Sequence, residues 1–203
     1  MGRNFLVSSL ALTLCCFSTQ AEVYVAPFAG YSFGGNGLGL TINEGVSSDL
    51  NISESEHYGL VLGMKTNDPG SVYILYSTQS TDLRDGGLSS DVVTELNVDY
   101  WHLGGSLYFQ HGAFNPYVTA SAGVTRLIPS QSYSSETNFS MAIGGGLAYG
   151  ITSNVRVFAD VRGYATFFNT NSSLFCDESE CLWKVEGDLI WQAQANIGFE
   201  VAF

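Results

Sequence analysis

The chain has 203 residues, 45% of them hydrophobic and only 13% charged, and its 19 acidic against 7 basic side chains leave a net charge of −12. That balance excludes a nucleic-acid partner, which would need a basic patch, and the scarcity of charge disfavours an ordinary soluble domain, where about a quarter of residues are charged. The apolar content separates the chain from disordered sequences, and after the N-terminal segment no run of about 18 apolar residues offers a spanning helix.

Residues 1–21 read as a signal peptide. Arg3 supplies the positive start, Phe5 to Phe17 the apolar run, and Thr19-Gln20-Ala21 a small-x-small cleavage site before Glu22. The run is too short to span a membrane. Leu14 precedes Cys15 and Cys15 precedes Cys16 where lipoprotein processing needs a small residue, so Cys15 and Cys16 are not expected to be lipidated. Losing Arg3 takes the charge from −12 to −13. About 180 residues remain, enough for one domain over residues 22–203.

Eight segments of this domain alternate apolar with polar or small residues at every second position, the period of a strand with a different environment on each face. The first, 22–33, sets Val23, Val25, Pro27, Ala29, Tyr31 and Phe33 on one face, and residues 34–56, rich in Gly, Ser, Asn and acid, read as a long loop. The second, 57–65, opposes Tyr58, Leu60, Leu62 and Met64 to Gly59, Val61, Gly63 and Lys65. Thr66-Asn67-Asp68-Pro69-Gly70 has the composition of a tight turn. The third, 71–81, leads into a connection holding Asp82, Arg84, Asp85, Gly86 and Gly87. The fourth, 93–110, opposes Trp101, Leu103, Gly105, Leu107 and Phe109 to His102, Gly104, Ser106 and Tyr108, and residues 111–115 form the next short turn.

The fifth segment, 116–125, alternates Val118, Ala120, Ala122 and Val124 with Thr119, Ser121, Gly123 and Thr125, before a loop over 129–136. The sixth opposes Phe139, Met141, Ile143, Leu147 and Tyr149 to Ser140, Ala142, Gly144, Gly146 and Ala148. After a turn at 150–154 the seventh, 155–168, sets Val157, Ala159, Val161, Ala165 and Phe167 against Phe158, Asp160, Arg162 and Tyr164, and 169–183 reads as a connection. The last strand opposes Trp191, Ala193, Ala195, Ile197, Phe199, Val201 and Phe203 to Gln192, Gln194, Asn196, Gly198, Glu200 and Ala202. Large apolar residues on one face and small or amide residues on the other suit lipid outside and a narrow tube inside; a soluble barrel would carry charge outside. An even strand number puts both termini and the three short turns at one end, expected to be periplasmic, and the four longer loops at the other, expected to be extracellular.

The terminal Phe203 with Val201, Phe199 and Ile197 before it, Pro116-Tyr117-Val118 with Gly123, and Gly144-Gly145-Gly146 carry a resemblance. Over residues 22–203 the chain resembles the small eight-stranded outer-membrane barrels, the group that includes the transmembrane domain of outer membrane protein A and outer membrane protein W. The resemblance implies an all-β, eight-stranded, antiparallel, up-and-down transmembrane barrel in the bacterial outer membrane. It also implies that Phe203, Val201, Phe199 and Ile197 form the signal read by the barrel-assembly machinery. No periplasmic peptidoglycan-binding domain is expected to follow the barrel. A structural or surface-interaction role is the leading expectation. A narrow channel or transporter for small or hydrophobic compounds is the alternative, and a lipid-modifying barrel enzyme, of the lipid A deacylase kind, a further one.

An eight-stranded barrel is just wide enough to be filled by its own side chains. The inward charges, Lys65, Arg156, Asp160, Arg162 and Glu200, therefore need partners. Arg156 should pair with Glu200 and Asp160 should neighbour Arg162, with His102, Gln194 and Asn196 completing a polar plug; a gated proton or ion path is the functional rival. His57, His102 and His111 have no Ser two positions on, and His102 stands about 13 Å from Ser106 along a strand, so no catalytic residue is expected. Cys176 and Cys181 flank Asp177, Glu178 and Glu180 in an outer loop; an oxidising compartment and the lack of His favour a disulfide over a metal site. No metal or cofactor is expected. The acidic residues of the outer loops, Glu44, Asp49, Glu54, Glu56, Asp82, Asp85, Asp91, Glu95, Asp177, Glu178, Glu180, Glu186 and Asp188, solvate the loops or bridge through divalent cations to lipopolysaccharide. The expected partners are outer-membrane lipid, lipopolysaccharide and the assembly machinery, around a monomer.

Overall fold

The computed structural model describes residues 22–203 except 37, 43–45, 67–68, 86–91, 110–111, 131–134, 169–172, 177–180 and 186–188, with side chains outside 35–51, 83–94 and 169–188. The expected signal peptide, His111, Glu44, Asp91, Asp177, Glu178, Glu180, Glu186 and Asp188 lie outside the described residues.

The strands are β1 (Val23–Asn36), β2 (Leu38–Ile42), β3 (Val46–Ile52), β4 (Ser55–Lys65), β5 (Gly70–Asp85), β6 (Val92–Tyr108), β7 (Phe114–Pro129), β8 (Glu136–Gly150), β9 (Val155–Phe167), β10 (Ser173–Cys176), β11 (Cys181–Val185) and β12 (Leu189–Ala202). Eight of them, β1, β4, β5, β6, β7, β8, β9 and β12, pair antiparallel in that order, and β12 returns to β1. The ring is closed, so no barrel strand leaves an unpaired edge.

Register fixes the barrel's width. A circuit of paired residues leaves β1 at Val23, passes Met64, Val72, Gly105, Ala120, Ile143, Gly163 and Ala193, and comes back to β1 at Phe33, ten residues further on. With ~3.3 Å per residue and ~4.8 Å between strands, that shear tilts the strands by about 41° and sets a backbone radius of about 8 Å. Side chains reaching inward from such a wall meet across the axis.

The alternation read from the sequence sorts the two faces. Tyr58, Leu103, Ile143, Val161 and Ile197 point outward and are exposed, whereas Tyr24, Leu75, His102, Asp160 and Gln194, one position out of phase, are buried. A one-residue slip would exchange the two sets, so the register is strongly specified. Aromatic residues bound the apolar band: Tyr58, Trp101, Phe139, Phe167 and Trp191 toward the long-loop end, and Phe109, Phe114, Tyr149 and Phe203 toward the termini. Along β8, Phe139 and Tyr149 are ten positions apart, which at the derived tilt is about 25 Å of height, the thickness of an outer-membrane apolar band.

The strands differ from the sequence reading at the long-loop end. Residues 34–56 and 169–183, expected as loops, contain the hairpin β2–β3 and the pair β10–β11. β3 continues the sheet from the upper end of β5 through Leu50↔Asp85, Asn51↔Arg84 and Ile52↔Leu83, and β11 adds to β2. The partner of β3 here is the overhang of β5 above the apolar band, beyond the lipid on one side and the packed lumen on the other that impose alternation lower down. Where β1 leaves the barrel the ladder slips between Gly34 and Asn36, and Gly34 takes φ 76°, a left-handed conformation open to glycine.

Candidate functional site

The interior of the barrel is the candidate site, and it is built in layers. At the terminal end, Arg156 on β9 and Glu200 on β12 are cross-strand partners. Arg156 donates from Nε to Glu200 Oε1 at 3.0 Å and from Nη2 to Oε2 at 2.7 Å, while its guanidinium lies 4.9 Å from the centre of the Tyr108 ring. Lys65 sits at the rim, donating to Glu22 Oε1 at 2.8 Å and standing 3.7 Å from Glu200 Oε1. Above them a cavity of about 30 Å³ lies among Tyr24, Tyr73, Tyr108, Tyr117 and Arg162, room for about one water.

The middle layer is organised on Asp160, whose side chain has no solvent exposure. Its Oδ2 accepts from the Tyr117 hydroxyl at 2.7 Å and from Arg162 Nε and Nη2 at 3.1 and 2.8 Å; its Oδ1 accepts from Asn196 Nδ2 at 2.7 Å. That last bond sets the next. With its amide nitrogen spent on Asp160, Asn196 can only accept through Oδ1, so the 2.6 Å contact requires His57 Nε2 to carry the proton. Neutral His57 then accepts at Nδ1 from Ser32 Oγ, 2.9 Å away. His102 lies between two hydroxyls, 3.0 Å from Ser121 Oγ and 2.8 Å from Ser140 Oγ. The Arg162 guanidinium is 5.9 Å from the Phe28 ring centre and 5.8 Å from that of Tyr73 on β5, the strand diametrically opposite β9.

The upper layer also crosses the axis. The Tyr100 hydroxyl on β6 donates to Gln192 Oε1 at 2.6 Å on β12, again the opposite strand. Gln192 Nε2 donates to Gln79 Oε1 at 3.0 Å, and Gln79 Nε2 to Ser55 Oγ at 2.8 Å. Tyr100 and Tyr164 stack with ring centres 4.3 Å apart, and Thr125 and Thr166 share a 3.0 Å hydrogen bond.

The structure thus brings Arg156 to Glu200, and Asp160 to Arg162 and Asn196. Lys65 is set at the rim with Glu22. His102 meets Ser121 and Ser140 while Ser106 lines the lower cavity, and Gln194 is fully buried with neither amide atom bonded among the described residues. His57, which shares the parity of Lys65, joins this plug through Ser32 and Asn196. The sequence reading also expected small residues inside, and this needs correction. Tyr24, Phe28, Tyr73, Tyr100, Tyr117 and Tyr164 fill the lumen, because an ~8 Å wall radius leaves more volume than Gly and Ser occupy. The inward glycines make room for their neighbours' rings: a Cβ on Gly59 would run into Phe28 Cζ, and one on Gly30 would lie 2.8 Å from His57 Cε1.

At the far end a polar recess of about 490 Å³ lies against β4, β5 and β6 and includes Glu54, Asp82, Glu95, Ser55 and Asn97; Glu95 and Asn97 have the outward parity of Trp101. Cys176 and Cys181 are directly opposed in the β10–β11 pair, and their side chains lie outside the described ones. At the chain end Ile197, Phe199 and Phe203 face outward, and the Phe203 amide donates to the Val23 carbonyl at 2.8 Å, closing the seam between β12 and β1.

Three solved barrels superpose on this architecture. The neisserial surface protein A aligns with a TM-score of 0.61 and 14% identity over 89% of this chain and 97% of that one. The outer membrane protein OprG of Pseudomonas aeruginosa gives 0.62 and 12% over 90% and 96%. The N-terminal β-barrel domain of OprF from the same species gives 0.53 and 18% over 91% and 98%. Identities this low speak to the fold. No curated protein matches the chain. Residues 7–203 match the family profile described as the outer membrane protein beta-barrel domain. The chain therefore belongs to the outer membrane protein beta-barrel family and is an eight-stranded barrel of the bacterial outer membrane.

Proposed function

We propose that this barrel is a closed, non-catalytic scaffold at neutral pH, holding its loops at the cell surface for structural or surface-interaction roles. The observation that carries this is the contact between opposite walls: Tyr100 on β6 bonds Gln192 on β12 at 2.6 Å, so no open bore passes between them. Buried hydroxyls such as Ser32 and Ser140, each with no exposure, have no route to a substrate, which argues against nucleophilic catalysis. In this reading the termini and short turns are periplasmic and the long loops extracellular. Lipopolysaccharide surrounds the outer band, the assembly machinery reads the segment ending at Phe203, and the barrel is monomeric.

In this reading Glu54 and Glu95 of the polar recess stand at the extracellular end, where carboxylates suit divalent cations shared with lipopolysaccharide phosphates. Single-channel recording in planar bilayers at neutral pH tests the closed lumen. Absence of conductance steps is expected, and steady steps would favour a narrow channel for small solutes instead. A mass shift of lipid A on overexpression would reveal a lipid-modifying enzyme and overturn the non-catalytic reading.

A further inference from the structure

The middle layer of the plug holds an imbalance that the closed-scaffold reading, on which this inference rests, does not use. From the register and tilt, Ser77, His57, His102, Arg162, Tyr164 and Gln194 lie within about 5 Å of one another along the barrel axis. In that layer Ser77 Oγ and both amide atoms of Gln194 are buried without a hydrogen-bond partner among the described residues, and the Tyr164 hydroxyl has only the Arg162 guanidinium beside it. Closure therefore leaves polar atoms unsatisfied that water would satisfy.

Two titratable rings face this layer. His57 packs against Gly30, Ser32 and Phe28 of β1, Gln79 of β5 and Asn196 of β12, none of them ionisable, and the charges that reach it are Asp160 and Arg162 of β9. His102 packs against Leu75 of β5, Gly123 and Ser121 of β7 and Ser140 of β8, with the phenols of Tyr100 and Tyr164 at its edges, and the charge that reaches it is Arg162.

Both rings can gain a proton without losing a bond. Ser32 Oγ can turn from donor to acceptor for His57 Nδ1, and either hydroxyl beside His102 can do the same. The charge is what changes. Arg162 against Asp160 sums to zero; two imidazolium charges raise the layer to plus two, with no further carboxylate within it. Water entering the layer solvates that excess and the unsatisfied atoms together.

We propose that His57 and His102 form an acid-sensitive latch: their protonation hydrates the middle layer and opens the lumen to small ions. Histidine gains its second proton below neutral pH, so the latch is closed at about pH 7.5 and released at about pH 3.5.

The test is planar-bilayer conductance of the full-length folded barrel at both pH values, for the wild type and the H57Q/H102Q double variant, with histidine side-chain 15N NMR of the wild type alongside. The wild type should be silent at neutral pH and show open probability raised by about tenfold or more at acid pH, with both imidazoles becoming doubly protonated over the same interval. The double variant should stay silent at both. A wild type silent at acid pH with both rings protonated would overturn the latch and leave the scaffold reading intact. Acid opening in the double variant would also overturn it, by placing the sensor elsewhere. Conductance already present at neutral pH would overturn the closed lumen itself, and the latch with it.

Discussion

Replacing Asp160 with Ala is the sharpest perturbation of the plug. Asp160 has no side-chain exposure and accepts from Tyr117, Asn196 and two nitrogens of Arg162, whose own side chain is 7% exposed. Its removal strands a buried guanidinium, a loss of about 3–5 kcal/mol. The orphaned Tyr117 and Asn196 donors add to this, but they belong to one network and their penalties do not sum. We expect a total near 4 kcal/mol, in the upper part of that range. The rim pair gives the contrast: Glu22 and Lys65 are 39% and 24% exposed, so Glu22→Ala should lower stability by no more than about 1 kcal/mol after solvent screening. Equilibrium unfolding in urea from lipid vesicles, followed through Trp101 and Trp191 at the barrel's outer surface, reads both. The double variant Asp160→Leu with Arg162→Met should return to within about 1 kcal/mol of the wild type or exceed it, since an ion pair replaced by apolar volume is near neutral. A loss below about 1 kcal/mol for Asp160→Ala would refute the premise that the lumen is dry and its charges interdependent.

Gly30→Ala should destabilise the barrel by about 1–3 kcal/mol, because the new Cβ would meet the Ala195 carbonyl and the His57 ring, whereas Gly150→Ala, with nothing within 4 Å, should be neutral in the same assay. Phe203→Ala should reduce the amount of heat-modifiable barrel in outer membranes while leaving refolding into detergent unchanged; equal loss in both would make Phe203 a packing residue. Intact mass under non-reducing conditions should show the protein about 2 Da lighter than its reduced form, from a disulfide between Cys176 and Cys181. An unchanged mass would leave the two as free thiols.

What the sequence disclosed and what it hid follow from geometry. Parity along a strand is local, so the outward set from Val23 to Phe203 could be read directly. The closing hairpin could be read as well: β9 and β12 are adjacent and antiparallel, so Arg156 near the start of one falls opposite Glu200 near the end of the other. Height within the barrel is different, because it depends on the shear, which exists only once the ring closes. Nothing in the residues around His57 shows that β12 will bring Asn196 to it across β1, or that Tyr100 will meet Gln192 on the far wall. The inward aromatics were obscure for a related reason. Phe28 fits because Gly59 lies on the adjacent strand, and that pairing too is set by register. The extra strands β2, β3, β10 and β11 are joined to the barrel through the pairing of β3 with the overhang of β5, which again exists only once the register is set.

The closed lumen is reached most directly by a thiol placed at its centre. Ser77 has no exposure and lies in the middle layer on β5, whereas Asn97 stands exposed on the outward face of β6, four positions beyond Trp101 toward the long-loop end. In a background with Cys176→Ser and Cys181→Ser, a Ser77→Cys barrel in vesicles should resist a small charged thiol reagent from either side at neutral pH, while Asn97→Cys is modified promptly. Modification of Cys introduced at Ser77 at a rate comparable to that introduced at Asn97 would show a continuous aqueous bore and contradict the plugged barrel.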